Sequence, residues 1–331
     1  MNRDIAIAMF ITGVFVLGAI VLSLIFYGPP PPDPIRIGGP GLEQNALIYV
    51  AMDRGFFEKN GLNVTIRDDY PTGVGPVNDL VAGEIDMSVS SEYPVIARIL
   101  SGDNISIIAT IDKYQNEELI SRKDFGVRNL SDLKGKKIGI PRGTILEFFL
   151  GRLLEQNAMT IRDVKLVNVN TTHAPDAIAN GEIDAIMYFQ PYTTQIQGRL
   201  GNNAISWPGQ GNQSVYGVVA ARDTWIASHP DQVRRFLRSL EDARIYTLDK
   251  RKETQAGVKS HLNLSDLYLA EVWPYHRFDL TLDQSLLIAM NDEARWMVLN
   301  NRTPVKTVPD FRRHISTTGL EQVNPEAVNI R

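Results

Sequence analysis

Short apolar runs along this chain alternate between the period of a strand and the period of a helix, with glycine, proline and acidic turns between them. Residues 35–37 form an apolar run that ends in Gly38-Gly39-Pro40-Gly41, and a helical pattern over 44–54 follows. Gly61 breaks that helix, 62–66 alternate apolar and polar as a half-buried strand does, and 77–82 return to helical spacing. Gly83-Glu84-Ile85-Asp86 then leads into a strand over 87–89. The order strand, helix, strand, helix, strand is the grammar of a parallel sheet with helices on its faces.

The same order returns further along. Strands over 138–140, 164–169 and 185–188 enclose one helix over 145–157 and another before Asn180. Residues repeat as well. Glu58-Lys59-Asn60-Gly61-Leu62 is echoed by Glu155-Gln156-Asn157-Ala158-Met159, and Gly83-Glu84-Ile85-Asp86 by Gly181-Glu182-Ile183-Asp184. Two similar α/β units predict a duplicated architecture with a ligand crevice between them. The acidic pairs in the second motif fit helix-end and turn roles better than acid–base catalysis. From 231 onward the pattern is helical, with core-facing apolar stripes near 265–272 and 282–299.

The start of the chain has a different character. Residues 5–26 carry no charge, and at about 1.5 Å rise per residue such a run spans the roughly 30 Å hydrocarbon core of a bilayer. It predicts an uncleaved N-terminal transmembrane helix over 1–27, with a cleaved signal segment as the alternative. Arg3 precedes the run and no Lys or Arg follows before Arg36. The positive-inside bias therefore makes this a single-pass cell-membrane protein with its body outside the cytoplasm. Residues 28–34, rich in proline, predict an extended spacer. Asn-x-Ser/Thr sequons begin at Asn63, Asn104, Asn129, Asn170, Asn212, Asn263 and Asn301. They fit surface glycosylation, and equally turn-forming Asn beside Ser or Thr.

Bulk properties narrow the function classes. With 331 residues there is room for an anchor and two compact lobes, and 44% hydrophobic residues supply a sizeable core. A formal net charge of -4 argues against a nucleic-acid partner. The absence of cysteine removes disulfides, thiolate metal sites, a cysteine nucleophile and a lipidated cysteine anchor. His173, His229, His261, His276 and His314 are scattered without metal-ligand spacing. Nucleophile-elbow, phosphate-loop and dinucleotide fingerprints are missing too, so neither a cofactor nor a catalytic or metal centre is expected.

Open α/β sheets bind ligands outside the carboxyl ends of their strands, and polar groups gather at four such places. The Gly38 to Asn45 loop offers the amides of Gln44 and Asn45. Ser90, Ser91 and Glu92 follow the strand over 87–89, where the serines either cap the next helix or donate to a ligand. Arg142, Gly143 and Thr144 precede a helix, where free amides, a hydroxyl and a guanidinium make an anion site. Tyr188, Gln190 and Tyr192, joined by Tyr216, bring aromatics and an amide to the crevice mouth, with lobe packing as their alternative role.

Three segments together resemble a known family. They are Tyr49-Val50-Ala51-Met52-Asp53-Arg54-Gly55-Phe56-Phe57-Glu58-Lys59-Asn60-Gly61-Leu62, Gly83-Glu84-Ile85-Asp86, and Asp132-Leu133-Lys134-Gly135-Lys136-Lys137-Ile138-Gly139-Ile140-Pro141-Arg142-Gly143-Thr144. Over about 35–300 the chain is similar to the nitrate/sulfonate/taurine group of ABC importer binding proteins, which includes thiamine-pyrimidine binders. The resemblance implies a two-lobed periplasmic-binding-protein type II fold. Each lobe would be a mixed, mainly parallel sheet flanked by helices, closing on its ligand by hinge bending. With crossings near 112–116 and 208–214, lobe 1 comprises 35–112 and 215–331, and lobe 2 comprises 113–214. The implied function is capture of a small, anionic solute such as a sulfonate or nitrate, with Arg142 as anchor, and delivery to an ABC permease and its ATPase. Alternatives are an anchored receptor not coupled to transport and an enzyme like the pyrimidine synthases of the same fold. Those synthases bear a cysteine-rich motif that this chain lacks. Relatives are usually lipidated or freely periplasmic, so the membrane helix is a departure.

Overall fold

The computed structural model describes residues 31–330. The expected anchor and residues 28–30 of the proline-rich spacer lie outside the described residues, and the spacer's last two residues, Asp33 and Pro34, already belong to the first strand. Among the described residues, no helix is long and apolar enough to cross a membrane.

Two sheets organise the chain. The first contains β1 (Asp33–Pro40), β2 (Leu62–Tyr70), β3 (Met87–Ser91), β4 (Ile105–Tyr114), β10 (Val215–Arg222) and β11 (His276–Thr281), in the order β11-β4-β10-β3-β1-β2. The second contains β5 (Glu117–Arg122), β6 (Lys137–Ile140), β7 (Lys165–Asn168), β8 (Ala185–Phe189) and β9 (Ala204–Pro208), in the order β7-β6-β8-β5-β9. Burial follows position. The edge strand β2 alternates buried and exposed residues as its sequence does, whereas β3 and β10, inside the sheet, are buried on both faces.

The duplicated units are visible in the topology. In the first, α1 (Ala46–Asp53) and α2 (Val74–Ala82) link strands that lie in the order β3-β1-β2. In the second, α4 (Ile145–Gln156) and α5 (Ala174–Ala179) link strands in the order β8-β6-β7. The repeated Gly-Glu-Ile-Asp segments play one structural part in both. Gly83 and Gly181 end their helices with φ 84° and 77°, the left-handed region that glycine enters without penalty. The Asp86 carboxylate accepts the Arg36 backbone N–H at 2.8 Å, while its own N–H donates to Arg36 O at 2.9 Å. Asp184 does the same with Lys137, at 2.8 and 2.9 Å. Ile85 and Ile183 pack into the strand before them, where a Cβ on Gly38 or Gly139 would come within 2.7 or 2.5 Å of the isoleucine Cδ1.

The sheets are less parallel than expected. β1 pairs with β3, and β6 with β7 and β8, in parallel. Yet β10 is antiparallel to both β3 and β4, β11 to β4, and β5 to both β8 and β9. Helical crossovers inside each unit enforce parallel neighbours. The strands added by the passage between sheets follow no such crossover. The chain leaves the first sheet after β4, enters the second at β5 through Gln115 and Asn116, and returns from β9 to β10 over 209–214. Both passages run side by side, because β4 neighbours β10 and β5 neighbours β9. The later part of the chain wraps the first sheet with α6 (Pro230–Asp249) and α7 (Gln284–Leu299), and Phe236 of α6 stacks on Phe57 with centroids 5.5 Å apart.

Candidate functional site

Between the two sheets, at the carboxyl ends of their parallel strands, lies a cleft of about 560 Å³, part of it open to solvent. The first sheet supplies Leu42, Glu43 and Gln44 after β1, Thr72 and Gly73 after β2, and Ser91 at the end of β3. The second supplies Thr144, Ile145 and Leu146 at the start of α4, and Phe189 and Gln190 at the end of β8. The outgoing passage adds Tyr114, Asn116 and Glu117, and β11 adds His276. The same two structural positions in each duplicated unit thus face one another across the opening.

Hydrogen bonds hold this lining in place. Tyr114 donates from its hydroxyl to Gln44 Oε1 at 3.1 Å, and Thr194 donates to Gln190 Oε1 at 2.9 Å. His276 Nδ1 lies 2.6 Å from Asp112 Oδ2, with both side chains buried. Burial opposes the imidazolium, but the Asp112 carboxylate outweighs it and holds the His276 pKa above its ordinary value. Burial conversely raises the Asp112 carboxyl, and the pair titrates as a unit. Burial also pushes the Glu117 carboxyl well above the usual range. Asn116 Oδ1, Glu117 Oε2 and His276 Nε2 are buried atoms with no partner within the protein. Unsatisfied buried polar atoms are uncommon and costly, and here three belong to residues of one cleft.

Of the residues expected from sequence, Gln44, Ser91, Thr144 and Gln190 meet in this lining. Ser91 occupies the N-cap position of α3 (Glu92–Leu100) without a side-chain capping bond. The others stand elsewhere. Asn45 is turned to the backbone, donating from Nδ2 to Pro40 O at 2.6 Å. Ser90 is buried and donates to Ser91 O. Glu92 is buried, accepts the Tyr216 N–H at 3.1 Å and faces Glu293. Arg142 is turned onto Glu147, its Nε 2.9 Å from Oε1. Gly143, at φ 77°, donates its N–H to that same oxygen at 3.1 Å. The helix start that looked ready for an external anion is therefore neutralised by the carboxylate of its own first turn, which Arg302 also approaches. Tyr188 is fully buried in the second sheet's core, bonded to Val169 O, with Tyr192 packed edge-on against it. Tyr216 lines a different groove, with Phe148, Phe149 and Glu293.

Glu43, Asn116, Glu117 and His276 were missed. Asn116 ended the expected crossing, so its position at the cleft floor was within reach of the sequence. His276 reaches the site only because β11 adds to β4, a pairing that no local pattern announces.

The family description NMT1/THI5 like matches residues 43–254. The chain belongs to the NMT1/THI5-like family. A putative thiamine biosynthesis protein of Haemophilus influenzae is 30% identical over 144 residues, 43% of this chain and 45% of that protein. A putative aliphatic sulfonates-binding protein of Bacillus subtilis is 25% identical over 68% of this chain and 69% of its own length. A 4-amino-5-hydroxymethyl-2-methylpyrimidine phosphate synthase of Schizosaccharomyces pombe is 27% identical over 65% of this chain and 64% of its own. The match thus spans about half the length of the first of these relatives. Among solved structures, the periplasmic aliphatic sulphonate binding protein of Escherichia coli superposes with a TM-score of 0.71 at 19% identity, covering 86% of this chain and 97% of that one. The two mixed sheets of the NMT1/THI5-like chain are accordingly those of the periplasmic-binding-protein fold.

Proposed function

We propose that this chain is the extracytoplasmic solute-binding subunit of an ABC importer. It captures a small polar solute between two lobes and hands it to a membrane permease with its ATPase. The observation that carries this reading is the cleft, where the two duplicated units oppose Gln44 and Ser91 to Thr144 and Gln190 above a floor built by a passage between the sheets. Lobe 1, 35–112 with 215–331, and lobe 2, 113–214, would turn about the paired passages, as hinged domains do when a few connecting residues absorb the rotation. Names of relatives such as the aliphatic sulfonates-binding protein support the same reading. An anchor over 1–27 would hold the body outside the cytoplasm, and each sequon asparagine is exposed, as a glycosylated exterior requires.

The Schizosaccharomyces pombe relative favours a second reading, an enzyme. Against it stands a chain without cysteine, which lacks the cysteine-rich motif of the pyrimidine synthases. Arg142, the expected anchor of an anionic solute such as a sulfonate, is turned onto Glu147.

Since the chain has no native cysteine, Asp69→Cys with Thr172→Cys gives two clean dye sites on exposed positions, one near the end of β2 and one beyond β7. Energy transfer in the full-length protein, titrated with taurine, alkanesulfonates, nitrate, bicarbonate and thiamine pyrimidines, reports closure. We expect one class to shift the transfer efficiency saturably, with a weakened response in Gln190→Ala. A response that survives both Gln190→Ala and Gln44→Ala would place binding outside the cleft and refute the proposal.

A further inference from the structure

The lobes of the solute-binding reading, on which this step rests, are joined by more than the paired passages. Helix α4 belongs to lobe 2 and α7 to lobe 1, and the two meet. Gly151, in the middle of α4, lies against the Trp296 indole of α7, where a Cβ would come within 2.3 Å of Cζ2 and 2.5 Å of Nε1. Glycine weakens a helix interior, and here it is what admits the indole, which is buried and meets the Phe148 ring edge-on with centroids 5.9 Å apart. Close by, the buried Glu147 carboxylate is shared between two cations. Arg142 of its own lobe stands 2.9 Å away, and Arg302, past the end of α7, reaches it from the other lobe with Nε 3.2 Å from Oε2. The junction continues as a groove of about 860 Å³, part of it open to solvent, whose lining includes Phe149, Ile288 and Ala289. Few side chains therefore carry the contact.

We propose that Trp296 and Arg302 form a latch that holds the lobes closed before any solute arrives, and so sets the solute's apparent affinity. The arrangement seen is a closed one, since a Cβ on Gly143 at the cleft rim would lie 3.7 Å from Val74 Cγ2 of the opposite lobe. The latch is also reversible. Arg302 Nε faces its carboxylate without an aligned hydrogen bond, and the Trp296 indole N–H is buried with no partner. Both groups recover water on opening, which offsets part of the ion pair and of the packing. Glu147 keeps Arg142 and the Gly143 N–H in either arrangement, because both belong to its own lobe, so opening leaves no bare buried charge. Rotation about the passages thus has two discrete states, docked and undocked. Apparent affinity falls with the fraction of molecules in the binding-competent one.

Single-molecule energy transfer in the full-length protein without solute, from dyes at Asp69→Cys and Thr172→Cys, reads the closed and open populations directly. Arg302→Met should lower the closed-to-open ratio by roughly fivefold, between the worth of an exposed and of a buried pair. Gly151→Ala, which wedges the indole off α4 by a different chemistry, should lower it as well and covers the case in which Arg302→Met misfolds. Arg152→Met removes a charge from the same helix whose partner, Glu155, lies in the same lobe, and should leave the ratio at its starting value. A shift there as large as that of Arg302→Met would reduce the effect to a general loosening of α4 and overturn the latch. Unchanged or raised ratios in both Arg302→Met and Gly151→Ala would overturn it too. No solute enters the measurement, so that failure leaves the solute-binding reading to its own titration.

Discussion

Ala158 holds its backbone at φ 56°, in the left-handed region that costs an L-residue roughly 1 kcal/mol. Its counterpart in the first unit is Gly61, at φ 68°, where no such cost arises. The surroundings are otherwise matched. Asn60 and Asn157 each donate from Nδ2 at 2.8 Å to the carbonyl four residues before, Phe56 O and Leu153 O. Gly61 and Ala158 each donate to the glutamate carbonyl three residues before, at 2.9 and 3.1 Å. The turn is thus set by the asparagine and the helix end, and Ala158 accepts the strain. Ala158→Gly should stabilise the protein by about 0.5 to 1 kcal/mol, read as a raised denaturation midpoint; a lower midpoint would mean that glycine's unfolded-state entropy outweighs the relief.

Among elements, the paired passages depend on one side chain. Gln210 accepts the Glu117 N–H and donates from Nε2 to Tyr114 O at 3.2 Å and Gln213 O at 3.0 Å, which ties the outgoing passage to the return. Beside it, Gln115 donates to Asn212 O and the Ser214 hydroxyl. Gln210 is buried, so removing its amide leaves one N–H and two carbonyls without this partner. Gln210→Ala should cost about 1 to 3 kcal/mol, measured by urea unfolding of the full chain. A cost near zero would show that water takes over these bonds and that the tie is dispensable. Such a tie is invisible in sequence, where Gly209-Gln210-Gly211-Asn212 has only the appearance of a loose run.

For the whole molecule, buried carboxyl groups set the response to pH. Burial pushes the Glu92 carboxyl from an ordinary 4.5 up to about 8, and Glu293 beside it is raised as well. Folded protein thus keeps a proton that the unfolded chain gives up. The stabilisation tied to Glu92 is complete below 4.5 and is lost as pH rises toward about 8, at about 1.4 kcal/mol per pH unit for one proton. Carboxylates held low act in the opposite sense in acid, as in Asp86, whose ionisation burial resists and Arg36 overcomes. Comparison with Glu92→Gln isolates the buried group. The fall in unfolding free energy across that window should be shallower in the variant, and parallel profiles would disprove the assignment.

Local pattern determined the repeated strands and helices, the turns that join them, and the presence of two opposed units. It could do so because periodicity and left-handed turns are decided by neighbours in the chain. The antiparallel strands β4, β5, β9, β10 and β11 escaped it, since their order follows from how two sheets share one chain. Of the cleft lining, Gln44, Ser91, Thr144 and Gln190 were legible because strand ends in α/β units point to the cleft. The turning of Arg142 onto Glu147, the burial of Tyr188, and the arrival of Glu117 and His276 were decided by tertiary structure alone. Burial and charge pairing between residues far apart in the chain choose which polar groups spend themselves inside the protein and which remain for a solute.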